Sequence, residues 1–245
     1  MDKRELFFPE VNFGGFSKID GTVAFYTRVN SIIKPSFVIL DVGCGRGRYS
    51  EDAVIYRRNL RIFKEKVKQV IGLDKDPLAK NNPYIDKFNL IDDNYWPIDD
   101  NSIDMIISDF VLEHIQDPDN FFHEANRVLK DNGYLCIRTT NLLSYVAIFS
   151  IIIPNKYHSK ITSFVQNNRK DEDVFPTYYN CNAMNKIKIF MRKYSFESVV
   201  YSHAAEPSYM AFSRFFYFFG ILFHKLLPNF AKPAIFAFGK VHKSY

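Results

Sequence analysis

The sequence has little cysteine. Its three cysteines, Cys44, Cys136 and Cys181, are far apart and form no C-x-x-C pair. Zinc sites and disulfide frameworks are built from paired or closely spaced cysteines, so neither kind of site is expected. Reduced thiols are typical of cytosolic proteins. We therefore expect a cytoplasmic protein, with the inner face of a membrane as a narrower alternative.

Long apolar runs and dense charge are also missing. The charged start, residues 1–5, has no long apolar segment behind it, so no secretory signal is expected. The net charge is only +5, and the basic run at 57–68 alternates with apolar residues as on a solvated helix face. This pattern argues against a nucleic-acid partner. With 47% hydrophobic residues the chain can fill a core, and we expect one domain over residues 1–245.

Glycine is scarce, but three of the ten glycines stand at alternate positions after an apolar run. Residues 37–42 read Phe-Val-Ile-Leu-Asp-Val, and Gly43, Gly45 and Gly47 follow. This pattern predicts a strand, a tight turn and a helix. Glycine permits backbone angles that other residues avoid and lets a ligand lie against the backbone. We therefore predict a ligand-binding turn.

The acid before the glycines indicates the kind of ligand. The spacing G-x-G-x-G differs from the dinucleotide fingerprint G-x-G-x-x-G. Asp41 would repel a phosphate but attract an ammonium or a sulfonium. S-adenosylmethionine carries both of these cations and no phosphate, so the sequence favours it over a nicotinamide dinucleotide.

A second acid closes the next apolar run. Residues 68–74 predict a strand that ends on Asp74, with Lys75 beside it, and residues 49–66 predict the helix before that strand. The carboxyl ends of neighbouring strands line the ligand crevice of a doubly wound sheet. We therefore expect Asp74 to accept hydrogen bonds from ribose hydroxyls.

Residues 38–47 resemble the first motif of the class I S-adenosylmethionine-dependent methyltransferases, of the type 11-like group. Residues 103–141 resemble a further stretch of the same family, with Glu-His at 113–114 and Arg-Val-Leu-Lys at 127–130. The resemblance spans residues 37–141. It implies an α/β, doubly wound, Rossmann-like fold with a seven-stranded sheet, mostly parallel, ending in a C-terminal antiparallel hairpin.

The resemblance also implies site residues. Those expected to bind S-adenosylmethionine are Asp41, Gly43, Cys44, Gly45, Gly47, Asp74, Lys75, Asp92, Asp93, Ser108 and Asp109. By its place before Pro97, Asp92 matches the acid that meets the adenine amino group. Some quinone-methylating relatives hold magnesium near the Glu-His pair, but Phe110 stands here four residues before His114. We therefore expect no metal.

A hydroxyl acceptor usually needs a base, and histidine has a suitable pKa. We name His114 and Asp109 as candidate catalytic residues, although His114 is equally suited to organising its loop. His158, Tyr178 and His203 belong to segments that the sequence does not place.

Three segments lie outside the sheet pattern. We expect an N-terminal cap at 1–30, a helical and loop insertion at 142–180 after strand five, and an aromatic insertion at 204–233 between the last two strands. The aromatic stretch 208–232 is bordered by cations, and its longest uncharged run is too short to span a bilayer. Peripheral membrane contact, a lid and a homodimer face remain alternatives for it.

These features predict a methyltransferase acting on a small-molecule or lipid-linked acceptor. The tyrosine-rich insertion and apolar tail resemble those of methyltransferases in cell-surface glycan pathways, which favours O-methylation of a sugar hydroxyl. The alternatives are a quinone or lipid methyltransferase, a nicotinamide-dependent reductase, and a cofactor-binding scaffold without turnover.

Overall fold

The computed structural model describes residues 4–91, 95–145, 147, 176–207 and 210–243. The expected site residues Asp92 and Asp93, and most of the expected insertion at 142–180, lie outside these ranges. The described strands are β1 Val38–Val42, β2 Gln69–Asp74, β3 Lys87–Leu90, β4 Ile103–Asp109, β5 Leu129–Thr140, β6 Phe196–His203 and β7 Ala234–Val241. The described helices are α1 Gly21–Ile32, α2 Ile55–Arg61, α3 Pro118–Val128, α4 Met184–Lys193 and α5 Arg214–Leu226.

The strands form one seven-stranded sheet in the order β3-β2-β1-β4-β5-β7-β6. β1 to β5 pair in parallel, whereas β7 runs antiparallel to both of its neighbours, β5 and β6. The predicted mostly parallel sheet with an antiparallel C-terminal hairpin is therefore confirmed. The order reverses between β1 and β4, which is where ligands bind in doubly wound sheets.

Both faces of the sheet are covered, as its apolar strands require. Neighbouring residues of β1 point to opposite sides: Ile39 packs in the cluster that contains Phe25 of α1, and Leu40 in the cluster that contains Phe121 of α3. All four side chains are buried. The two apolar clusters fix the sheet between layers of helices, so its carboxyl edge is held rigidly.

The predicted helix at 49–66 is wrong in extent, because only Ile55–Arg61 is α-helical. Asp52 explains the break. Its carboxylate accepts the Val54 backbone N–H at 3.0 Å and pairs with Arg57 at 2.6 Å. This local turn competes with a continuous helix and delays its start to Ile55.

The N-terminal segment and α5 pack on each other. Phe8, Val11 and Tyr217 form a small buried cluster, and the Phe7 ring centroid lies 5.7 Å from that of Tyr217. A Cβ at Gly220 would come within 2.9 Å of the Pro207 Cβ, so α5 sits close against the chain that precedes it. Within the described ranges, no helix is both long and apolar enough to cross a bilayer.

Candidate active site

Three carboxylates meet at the carboxyl edge of the sheet. Asp74 ends β2, Asp41 is the penultimate residue of β1 and Asp109 ends β4, and these three strands are neighbours. Burial, together with repulsion from Asp109 and Asp74, raises the pKa of Asp41 to about 7. No side chain among the described residues forms an ion pair or hydrogen bond with the Asp41 carboxylate. Within the described residues, Asp41 is therefore the member of this acidic trio whose carboxylate is left for a cation to approach.

The glycine turn lies beside the trio. Gly43, Gly45 and Gly47 all have positive φ, at 69°, 53° and 72°. A Cβ on Gly43 would approach Val111 Cγ2 to 2.3 Å, and one on Gly47 would approach Asn82 Oδ1 to 2.6 Å, so these two positions are closed by packing. A Cβ on Gly45 would meet nothing within 4 Å. Gly45 thus leaves open space against the backbone, which a ligand could use.

Asp74 ties the turn to β2. Its carboxylate accepts the Gly45 N–H at 2.8 Å and the Asp76 N–H at 2.9 Å. Because an ionised carboxylate accepts up to about four hydrogen bonds, Asp74 is oriented by these contacts and can still accept from a ligand hydroxyl. The expected role of Asp74 toward a ribose fits this geometry. Lys75 is exposed beside it.

Cys44, an expected cofactor-binding residue, has its side chain and its backbone in different surroundings. Its side chain is buried behind the turn, and its Sγ would lie only 2.7 Å from a Cβ on Gly72. Burial raises the pKa of this thiol. The Cys44 carbonyl accepts a hydrogen bond from Asn82 Nδ2 at 3.0 Å. The side chain of Cys44 therefore packs in the core, and only its backbone belongs to the turn.

Asp109 is held by a buried arginine. Its carboxylate accepts from Arg138 Nε at 2.5 Å, from Arg138 Nη2 at 2.6 Å and from the Tyr26 hydroxyl at 2.9 Å. Burial raises the pKa of Asp109, but the ion pair with Arg138 outweighs it and leaves the pKa below its ordinary value. Such a carboxylate is a weak base, so these contacts argue against the expected catalytic role of Asp109.

Arg61, which sequence reasoning missed, lies near the trio. Its Nη2 donates to Thr22 Oγ1 at 3.2 Å, and its guanidinium carbon is 5.7 Å from the Tyr26 ring centroid. Its charge acts against the raised pKa of Asp41, and its buried Nε has no hydrogen-bond partner among the described residues. Arg61 therefore has a buried N–H whose hydrogen bond is not made within the described residues.

The turn after β4 forms hydrogen bonds with the segment that begins at residue 176. The buried Glu113 carboxylate accepts from Thr139 Oγ1 at 2.7 Å and from Thr140 Oγ1 at 3.1 Å, and the Glu113 carbonyl accepts the Tyr178 N–H at 2.8 Å. Burial raises the pKa of this carboxyl. His114 Nδ1 lies 2.8 Å from the Pro176 carbonyl oxygen. The Glu-His pair therefore anchors the segment that begins at 176.

Two further residues that the sequence analysis named are Ser108 and His203. Ser108 is fully buried on β4, and its Oγ has no hydrogen-bond partner in the described part of the chain. His203 Nε2 lies 3.1 Å from the Ile19 carbonyl oxygen, and its ring stacks on Phe236. In the described ranges no three His, Cys, Asp or Glu side chains are grouped to hold a metal ion.

Known proteins share this fold and this region of sequence. A family model described as a methyltransferase domain matches residues 40–137. An uncharacterised methyltransferase of Schizosaccharomyces pombe is 29% identical over 133 residues, which cover 51% of this chain and 46% of the relative. A ubiquinone biosynthesis O-methyltransferase of Pelagibacter ubique is 28% identical over 127 residues, 51% of this chain and 52% of that one. The chain thus matches about half the length of these relatives.

Solved structures agree on the fold. The geranyl diphosphate C-methyltransferase of Streptomyces coelicolor, solved with S-adenosyl-L-homocysteine, superposes with a TM-score of 0.51 at 13% identity. The superposition covers 89% of this chain and 77% of that one. The region that the family model matches contains the glycine turn and all three acids, Asp41, Asp74 and Asp109. Residues 40–137 therefore belong to the class I S-adenosylmethionine-dependent methyltransferases, and S-adenosylmethionine is the cofactor of this domain.

Proposed function

We propose that this chain transfers the methyl group of S-adenosylmethionine to a hydroxyl of a small-molecule or lipid-linked acceptor. The observation that carries the proposal is the acidic trio beside the open face of Gly45. A site that keeps the pKa of Asp41 near 7 through burial and the repulsion of two other acids stabilises a bound cation and disfavours a pyrophosphate. This charge supports the methyltransferase hypothesis over the nicotinamide-dependent reductase.

Each part of the site has a proposed task toward the cofactor. Asp41 faces its positive charge, the Gly45 backbone leaves room for it, and Asp74 accepts from its ribose hydroxyls. Arg61 offers its unused Nε–H to the cofactor carboxylate. S-adenosylmethionine supplies an electrophilic methyl group. The chain contributes mainly by holding the two reactants in line, which can lower a barrier by about 7–11 kcal/mol.

His114 is the proposed base. The short contact of its Nδ1 with the Pro176 carbonyl requires a proton on Nδ1, so Nε2 is the basic nitrogen of the neutral ring. We infer this tautomer from the partner. Asp109, which the Arg138 ion pair keeps ionised, instead holds Tyr26 in place. The proposal thus assigns proton removal to His114 and positioning to Asp109.

Two observations support the acceptor class, one from a relative and one from helix α5. Among the relatives, the Pelagibacter protein is named as an O-methyltransferase of ubiquinone biosynthesis, which favours a hydroxyl acceptor and keeps a quinone as an alternative to a sugar. The aromatic residues of α5 favour a lipid-linked acceptor over a free small molecule.

Binding and transfer should be measured separately. Calorimetric titration of the full chain should show binding of S-adenosylmethionine and S-adenosylhomocysteine and no binding of NAD. Incubation with methyl-labelled cofactor and lipid or quinone fractions should then move label into one fraction, and His114→Gln should reduce this transfer while leaving cofactor binding unchanged. Binding of NAD would overturn the proposal, and cofactor binding without transfer to any fraction would favour the scaffold alternative.

A further inference from the structure

Helix α5 presents an apolar face to its outside. The residues of this face, called here the aromatic face, are all exposed: Phe215, Phe216, Phe218, Phe219, Leu222, Phe223 and Leu226. They recur three and four residues apart, so they share one side of the helix. Phe215 is 64% exposed and Leu226 is 75% exposed. Contiguous exposed apolar surface of this kind usually marks a contact with something else.

The middle of the aromatic face lies away from the side by which α5 joins the fold, whereas at its edges Phe218 contacts Phe7 and Phe223 contacts Tyr145. Tyr217, Gly220 and His224 point inward and are buried. Tyr217 packs with Phe8 and Val11, and His224 Nδ1 lies 2.8 Å from the Ala205 carbonyl oxygen. The inward side therefore anchors the helix, whereas Phe215 and Phe219 form ring contacts with residues of α5 itself.

The helix that carries the aromatic face has basic residues and no acidic ones. From residue 207 to residue 245 the sequence contains no aspartate or glutamate, but it contains Arg214, Lys225 and Lys232 close to the helix. Arg214 and Lys225 are exposed on α5 itself. Aromatic bulk flanked by cations is the pattern of a helix that lies in the headgroup region of a bilayer. Each such cation adds about 1 kcal/mol of attraction to an anionic leaflet.

We propose that the aromatic face of α5 binds the surface of an anionic phospholipid bilayer, with the helix lying in the plane of the interface. This inference does not depend on the methyl-transfer chemistry. A second copy of the chain is a poorer partner, because a two-fold interface brings the same patch against itself and would place cations against cations. Anionic headgroups instead neutralise them.

The position of α5 suits an acceptor that resides in the membrane. The N-terminal segment touches α5 through Phe7 and reaches α2 through Phe16, whose ring stacks on Tyr56 at 5.1 Å between centroids. α2 ends at Arg61, near the acidic trio. The membrane-facing helix and the cofactor side of the fold are thus joined by one short stretch of chain.

Vesicle sedimentation of the full chain tests the proposal. Two vesicle types are used, phosphatidylcholine alone and phosphatidylcholine mixed with phosphatidylserine. We expect the protein to sediment with the anionic vesicles and to be released by high salt. Phe215→Ser with Phe219→Ser should weaken binding at least about tenfold, since each buried phenylalanine contributes substantially to transfer from water. Arg214→Gln with Lys225→Gln should remove the preference for anionic vesicles.

A matched control keeps the test specific. Ile189→Ser with Val199→Ser removes two apolar side chains that are as exposed as Phe215 but lie on α4 and β6, and it should leave sedimentation unchanged. The melting temperature and S-adenosylhomocysteine binding of every variant show whether it has folded. The proposal is overturned if the wild-type chain stays in solution with anionic vesicles, or if both double serine variants behave alike. It is also overturned if light scattering without lipid shows a dimer that Phe215→Ser with Phe219→Ser converts to monomer.

Discussion

Asp41 makes the stability of the cofactor-free protein depend on pH. Its folded pKa of about 7 lies above the ordinary value of 3.8, so the folded state binds a proton that the unfolded state has released. The stability contributed by Asp41 is complete below pH 3.8 and is lost as the pH rises through 7.

Asp41→Asn should remove this loss. Without cofactor, we expect the variant to melt a few degrees higher than the wild-type chain at pH 8 and to differ much less at pH 5. The same variant should bind S-adenosylmethionine more weakly, because the site has lost a negative charge. Differential scanning fluorimetry at the two pH values measures the first effect. A melting-temperature difference that does not change with pH would contradict the assignment of the raised pKa.

Arg61 should recognise the amino-acid end of the cofactor. Arg61→Met should weaken binding of S-adenosylhomocysteine about tenfold to a hundredfold, which corresponds to a lost charge-assisted hydrogen bond. Binding of 5′-methylthioadenosine, which lacks the amino acid, should stay unchanged, and Arg61→Lys should retain part of the affinity. Calorimetry with both ligands separates these cases, and an equal loss for both would indicate a general disturbance of α2.

The acids of the candidate site could be predicted from the sequence, whereas its arginines could not. Asp41 and Asp74 each close an apolar run beside a turn, so local pattern was enough to name them. Arg61 and Arg138 were missed, because nothing near them in the sequence marks them. Arg138 Nη1 donates to Thr22 Oγ1 across 116 residues, and only the packing of α1 on the sheet brings them together.

At the scale of elements, the glycine turn requires close packing at Gly43 and open space at Gly45. Mutation can separate these two requirements. Both Gly43→Ala and Gly45→Ala must place a Cβ at positive φ, which costs about 1–2 kcal/mol. Gly43→Ala also collides with Val111, so it should lower the melting temperature of the cofactor-free protein much more. Gly45→Ala meets no neighbour and should instead mainly weaken S-adenosylhomocysteine binding. Equal stability losses would show that the space beside Gly45 is not open.

The strands were more predictable than the helices. The strands predicted from the apolar runs at 37–42 and 68–74 appear as Val38–Val42 and Gln69–Asp74. The prediction of a helix over 49–66 was wrong because the Asp52 side chain bonds the Val54 N–H and Arg57. Such local hydrogen bonds compete with those of a continuous helix. The helix from Pro118 begins after Asp117, whose carboxylate accepts the Asn120 N–H at 3.1 Å as an N-cap.

At the scale of the whole molecule, the Arg138–Asp109 pair joins β5 to β4, and both partners also hold α1, Asp109 through Tyr26 and Arg138 through Thr22. Asp109→Asn should destabilise the protein by about 3–5 kcal/mol, because it leaves the Arg138 charge buried without its partner. Asp109→Asn with Arg138→Gln should recover part of that loss. Urea denaturation measures both.

The surface pair of Lys193 and Asp119 is the control for this prediction. Both of its side chains are about half exposed, so Lys193→Ala should cost no more than about 1 kcal/mol. If Asp109→Asn is as mild as this surface change, the pair does not hold the N-terminal helix in place.

The crowding of three acids at one edge of the sheet also has a consequence for product release in the methyl transfer proposed above. Donating a methyl group turns the sulfonium into a neutral thioether, so the spent molecule carries one positive charge fewer. Mutual repulsion within the trio then returns, and Asp41 regains its tendency to take up a proton. S-adenosylhomocysteine should therefore dissociate more readily than S-adenosylmethionine. We expect weaker product inhibition than in a site that bound both molecules through their shared adenosine alone.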